Sequence, residues 1–387
     1  MLSHRKATMS VAALALFAFS SSTVTAATEQ EITDALKALF AASEANAQIE
    51  LGTPTTEDDA LVYRDVTFTS TSPDGPGEAK IATLTVTGGD VNAGGGLVAE
   101  SLYAETLTMS SGSGETVTIG SIEVVNLDAT PAAGAAEMKG RFDSILAEAI
   151  TVNAPGQPET TVGSIQIEAS DYVGDYPRDI AVSADGIEVD LSAAANDEPA
   201  AAQLKALGYE RLLLSVYAAG NWDEAAGVLT LEDFTIEGED MGAVTLSGVF
   251  GGFTPDVVKQ LEQPNPPPEL MQQVTLQEAS LSFSDDTITG KLLDMQAGQM
   301  GADRATFVDQ ITAALPLMLS AVGNPGFQNK ISAAATAFLK DPQNITVSVE
   351  PAEPVDLMTL MTTGQTAPQT LPDVLNADVI ANEPDVE

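Results

Sequence analysis

Ala104-Glu105-Thr106-Leu107-Thr108-Met109 returns 43 residues later as Ala147-Glu148-Ala149-Ile150-Thr151-Val152. The same offset carries Thr118-Ile119-Gly120-Ser121-Ile122-Glu123-Val124 onto Thr161-Val162-Gly163-Ser164-Ile165-Gln166-Ile167, with no gap. Each copy, 104–124 and 147–167, reads as a strand, a Gly/Ser/Pro-rich connection and a second strand. Apolar and polar residues alternate along each strand, which is the period of a half-buried β-strand. A weaker copy precedes them at Val66-Thr67-Phe68 and Ile81-Ala82-Thr83-Leu84-Thr85-Val86. One hairpin cannot bury its own apolar face, so repeated hairpins side by side predict an extended, twisted antiparallel sheet.

Outward from the repeat the pattern holds. Ile180 to Leu191, Leu212 to Tyr217, Val228 to Leu231, Phe234 to Ile236 and Val244 to Leu246 continue the meander, interrupted by a short helix at Ala200 to Leu207. An amino-terminal helix opens with the capping-box pair Thr28 and Glu31, and Ile32, Leu36, Leu39 and Phe40 give it one apolar face. Thr254-Pro255 starts another helix. Pro264, Pro266, Pro267 and Pro268 then make a stiff break, which is a domain boundary or a crossover within one domain. Beyond it, Val274 to Phe283 and Thr287 to Leu293 read as a hairpin turned by Ser284-Asp285-Asp286.

Two helices follow. Phe307, Ile311, Leu315, Met318, Leu319 and Val322 form the apolar side of the first; Phe327, Ile331 and Phe338 lie on one face of the second. These nine residues are the candidate lining of a groove between helices and sheet. The expected class is therefore mainly β (α+β), with repeated strand pairs and helices packed on one face, mostly in the carboxy-terminal third. The expected organisation is a signal peptide over 1–26, a β-rich region over 27–263, a β-hairpin plus helical pair over 264–362, and a mostly flexible acidic tail over 363–387, with a possible strand at Val374 to Ile380.

The amino terminus has the layout of an export signal: Arg5 and Lys6, an apolar stretch from Val11 to Phe19, and small residues Val24 and Ala26 before a cleavage site near Ala26. The stretch is about half the ~20 residues a spanning helix needs. Cleavage there predicts a periplasmic protein, and no other segment reads as a transmembrane span. Beyond this signal the chain holds neither histidine nor cysteine, since the single histidine is His4 and there are no cysteines. That removes Cys/His metal sites, His-assisted nucleophiles and disulfides. Without Arg5 and Lys6, 13 basic residues face 56 acidic ones, a net charge of −43. Such a surface repels nucleic acid. It reads as a solubility adaptation, with divalent-cation binding as the sharper alternative.

The composition leaves paired carboxylates as the main route to catalysis: Asp58-Asp59, Glu232-Asp233, Glu239-Asp240 and Asp285-Asp286. Most fall where turns need acids, so no catalytic residue, metal ligand or cofactor is assigned. The expectation is a non-catalytic envelope protein that binds an apolar ligand such as a lipid, or a protein partner. A carboxylate-based hydrolase of envelope glycans and a calcium-stabilised adhesion module are the alternatives.

Two stretches carry a resemblance. One runs from Leu207-Gly208-Tyr209 through Trp222-Asp223 to Leu229-Thr230-Leu231-Glu232-Asp233-Phe234; the other joins Phe338-Leu339-Lys340-Asp341-Pro342 to Pro351-Ala352-Glu353-Pro354-Val355. Both look like exported alphaproteobacterial proteins of uncharacterised activity, and the Thr/Val meander more loosely resembles YdgA-like and AsmA-like envelope proteins. The resemblance implies a β-rich envelope protein and carries over no catalytic residue.

Overall fold

The computed structural model describes residues 27–43, 48–72, 75–131, 138–156, 158–174, 176–191, 199–261, 263 and 267–383. The expected signal peptide, Pro264, Pro266 and the last four residues lie outside the described residues. The chain divides into two compact units, 1–177 and 178–387. Both are antiparallel meanders, and the helices concentrate in the carboxy-terminal third.

The first unit opens with α1 (Glu29–Ser43), followed by β1 (Gln48–Glu50), β2 (Thr55–Glu57), β3 (Ala60–Ser72), β4 (Gly75–Thr87), β5 (Asp90–Val91), β6 (Leu97–Ser110), β7 (Thr116–Pro131), β8 (Met138–Arg141), β9 (Ser144–Asn153) and β10 (Thr160–Val173). The long strands pair in the order β3, β4, β6, β7, β9, β10. The capping box of α1 forms as its sequence predicts: the Thr28 amide donates to Glu31 Oε2 at 2.8 Å and the Glu31 amide to Thr28 Oγ1 at 3.3 Å. Ile32, Ala35, Leu36 and Leu39 then bury themselves against the sheet, beside Tyr63, Leu84, Val86, Leu97 and Ile119. Thr33 Oγ1 donates to the Glu29 carbonyl at 2.7 Å and lies 2.8 Å from the buried Tyr63 hydroxyl, so this polar pair under the helix is satisfied.

The 43-residue repeat has a structural cause. Asp65, Thr106 and Ala149, on alternate strands, adopt left-handed backbone with φ of 53°, 52° and 52°. They form one row across the sheet with Ala82, Gly120 and Gly163. Register is unbroken on both sides of the row: Glu105 faces Ser121 and Leu107 faces Ile119, then Ser121 faces Glu148 and Ile119 faces Ile150. No residue is inserted in either strand, so the row is not a bulge. Instead each strand places its inward residues three apart rather than two at this point. Tyr63 and Val66, Leu84 and Ile81, Ala104 and Leu107, Ile119 and Ile122, Ala147 and Ile150, and Val162 and Ile165 all join one core. A strict period of two would send half of them to solvent. Gly120 is required by close approach, since a Cβ there would meet the Ala149 Cβ at 3.0 Å and the Glu148 carbonyl oxygen at 3.3 Å.

The second unit contains β11 (Tyr176–Asp190, whose first two residues precede the boundary), α2 (Pro199–Ala206), β12 (Arg211–Asp223), β13 (Val228–Gly238), β14 (Gly242–Gly251), α3 (Pro255–Leu261), α4 (Leu270–Gln273) and β15 (Thr275–Asp285). It continues with α5 (Ile288–Gln299), α6 (Arg304–Met318, prolonged by a 3-10 turn to Val322), α7 (Pro325–Lys340), β16 (Asn344–Val349), β17 (Val355–Asp356), α8 (Leu357–Thr366), α9 (Leu371–Val374) and β18 (Asp378–Ala381). Strands β11 to β16 pair in sequence order, with β18 on β16.

Three expectations change here, and the alternative left open at the proline stretch falls to one side. The hairpin after the proline stretch is a strand followed by a helix: Thr287 to Leu293 enter α5. The Met241 carbonyl accepts from the amides of Asp286, Thr287 and Ile288, and Asp285 Oδ1 from the Thr289 amide at 2.7 Å, so the chain turns into helix where a strand would need free partners. The proline stretch lies inside the second unit, because β14 before it and β15 after it pair from Gly242↔Asp285 to Gly251↔Thr275. Residues 363–383 are folded, ending in β18, where Thr346 faces Ile380. Finally, one described helix beyond the signal, Arg304–Val322, is long and apolar enough to cross a membrane by length and composition alone, with its apolar window 11% buried.

Candidate functional site

In the second unit the period-two pattern of six strands builds a single apolar face. One row across it is Val182, Ala218, Phe234, Leu246, Leu281 and Val347, each opposite the next. The next row is Ala184, Val216, Ile236, Val244, Phe283 and Ile345, and the row on the other side is Ile180, Gly220, Leu231, Gly248, Ala279 and Val349. None of these eighteen positions carries a polar side chain. Bulges at Ala219/Gly220 and Val249/Phe250 keep the faces in phase along the strands. The reverse face is hydroxylic: Thr235 pairs with Thr245 at 2.7 Å and Ser282 with Thr346 at 3.0 Å between Oγ atoms.

The apolar face is open. Ile180, Val182, Phe234, Ile236, Val244, Leu246, Leu281 and Val347 are 36% to 49% exposed. Its borders are covered. On one flank the Phe338 ring of α7 meets Phe283 edge-on, with centroids 6.0 Å apart, and Val379 of β18, opposite Val347, is buried. Further along β11 and β12, Val189 and Leu212 pack with Ala201 and Leu204 of α2 and with Tyr209. Trp222, two residues beyond Gly220 on β12, is buried, and its Nε1 donates to the Phe253 carbonyl at 2.7 Å.

The nine groove candidates divide. Phe338 is the wall residue just described. Phe307, with Ile311, packs into a helix cluster with Leu293, Ala297 and Val308. Leu315 is buried; Leu319, Val322, Phe327 and Ile331 are half-buried; Met318 is 67% exposed, beside Leu317 at 79%. The floor of the open face comes instead from strands that sequence reading placed in the meander but not in a site. The signal was present in the alternation itself: Phe234, Ile236, Val244 and Leu246 repeat the core pattern of the first unit, and the helix that follows them, α3, is only seven residues long.

The acidic pairs mark turns and one strand irregularity. Asp58, Asp59 and Asp240 sit in turns with φ of 46°, 67° and 56°, and Glu232-Asp233 occupies an irregularity in the β13–β14 pairing. Every described carboxyl whose pKa departs from the ordinary range is held low. Arg64 does this for Glu57, Arg178 for Glu224 and Arg304 for Asp294, each mainly through hydrogen bonds. Helix-capping bonds do it for Glu31, Asp303 and Asp356. Among the described residues no three acidic side chains converge as metal ligands would.

A family model described only as uncharacterized protein matches residues 235–382, from the middle of β13 through β18. That span holds three of the six strands under the open face, the end of a fourth, and all nine helical candidates. No curated protein matches the chain.

Proposed function

We propose that the protein is a non-catalytic component of the bacterial envelope, exported to the periplasm, whose second unit binds the hydrocarbon chain of a lipid. The observation that carries this reading is the open apolar face. Eight large apolar side chains in adjacent strands expose on the order of 600 Å², the upper end of what a soluble monomer leaves uncovered. The ~800 Å² that each partner gives to a standard protein interface is larger than this patch. A hydrocarbon chain needs a strip of apolar floor and a wall, and the face beside Phe338 supplies both. A glycan hydrolase needs one carboxyl raised by burial; the shifted carboxyls here are held low, which favours binding over hydrolysis.

The test is native mass spectrometry, with organic extraction, of protein purified from the periplasm of an expressing bacterium. A lipid adduct on the wild type that disappears from Leu281→Glu is expected. A wild-type spectrum free of adducts, with nothing apolar in the extract, sinks the reading. The same sample tests export, since its amino terminus is expected to begin at Ala27.

A further inference from the structure

We infer that the lipid bound on the open face has a polar end that is uncharged or cationic, and that the face discriminates against carboxylate and phosphate headgroups. This rests on the lipid-binding reading above and specifies its ligand. An anionic headgroup needs a cation or a set of free donors where the chain leaves the apolar floor. The eighteen floor positions provide neither.

The cations of the second unit are few, and most are engaged. Residues 178–387 hold 8 basic and 32 acidic side chains, a net charge of −24. Arg178, two residues before Ile180 on β11, is the cation nearest the floor in sequence. Glu224 holds its guanidinium with two hydrogen bonds, at 2.8 Å to Nε and 2.6 Å to Nη2. The pair is bidentate and its Glu224 side chain is only 19% exposed. A lipid carboxylate would have to displace Glu224 to gain the same two bonds. Arg211 pairs with Glu188, Lys330 with Asp378 and Lys340 with Asp309. Lys291 lies over the Tyr209 ring, 3.9 Å from its centroid. The field around the face is therefore negative, and at low ionic strength it reaches a ligand over a Debye length of about 10 Å or more. A hydroxyl or ester end is indifferent to that field, an ammonium end is attracted by it, and a carboxylate end is repelled.

Displacement of Nile red, an uncharged apolar dye, from the full-length protein separates the two levels of the argument. The competitors share one chain and differ in the end group: dodecanol, dodecylammonium and dodecanoate, at neutral pH. At 10 mM salt, dodecanol and dodecylammonium are expected to displace the dye at least tenfold more effectively than dodecanoate. At 0.5 M salt the gap between dodecylammonium and dodecanoate is expected to close by several-fold, as screening requires. Glu224→Gln, which removes the carboxylate charge of this pair, is expected to improve dodecanoate selectively. Equal or better displacement by dodecanoate at low salt overturns the inference while leaving lipid binding standing. Nile red that fails to bind the wild type, or binds Leu281→Glu equally well, overturns the lipid-binding reading itself.

Discussion

Leu36 packs against the apolar side of one antiparallel meander and Leu281 belongs to the apolar side of another, yet the first is fully buried and the second is 49% exposed. The difference lies in what each unit places over its sheet. In the first unit a capped amphipathic helix precedes the strands and lies across them, so α1 and six strands share one core. In the second unit the helices gather at the borders. Phe338 covers one flank and α2 another, while the middle of the face has no cover. The same strand chemistry makes a core in one place and an accessible surface in the other, and only the position of the helices decides which.

That comparison can be broken most directly at Leu36. Leu36→Ala removes a fully enclosed side chain, and the expected loss is about 2–5 kcal/mol, read by chemical denaturation. Leu281→Ala is expected to cost less than about 1 kcal/mol, because half of the side chain is already in water. Equal losses would mean that the second face is covered in solution. Gly120→Val is the next largest expected effect, about 1–3 kcal/mol of destabilisation, since its branches would press on Ala149 and the Glu148 carbonyl. Leu281→Glu sharpens the functional side of the contrast. It is expected to weaken dye or lipid binding at least tenfold, about 1.4 kcal/mol, with little change in melting temperature. Ala149→Gly should stabilise by about 0.5–1 kcal/mol, because the residue already holds the left-handed conformation that glycine adopts without a Cβ penalty.

The smallest expected effect is on pH dependence. Glu31, Asp303 and Asp356 have depressed pKa values from capping bonds, so the unfolded chain takes up their protons first as acid is added. Their contribution is present above the ordinary carboxylate values, about pH 4.3 for Glu31 and about pH 3.9 for the aspartates, and fades as pH falls further. Glu31→Gln should flatten that part of the acid titration attributable to the first unit, measured as melting temperature against pH.

Much of this was legible from residue order. The alternation in β6, β7, β9 and β10 and the Thr28–Glu31 cap both depend on neighbours a few residues away, and they form as local chemistry predicts. The repeat was visible too, although its cause, a left-handed residue on alternate strands, shows only once the strands lie side by side. What escaped depends on distant partners. Thr287 to Leu293 has strand-like residues, but the Met241 carbonyl captures the amides at its start and turns it into helix. The open face escaped for the same reason. Phe234 and Leu281 read as ordinary core residues, and whether anything covers them depends on where α2 and α7, distant from them in sequence, come to lie.

The row through Asp65, Thr106 and Ala149 has a consequence for how such a sheet can change size. Because two strands together restore the same outward pattern of left-handed and ordinary residues, a gene duplication of one hairpin presents its new neighbour with the edge that the old one had. Growth by whole hairpins keeps every inward side chain in phase, whereas gain or loss of a single strand would set two left-handed residues, or none, against each other. The whole hairpin is thus the increment by which this half of the molecule can lengthen without rewriting its core.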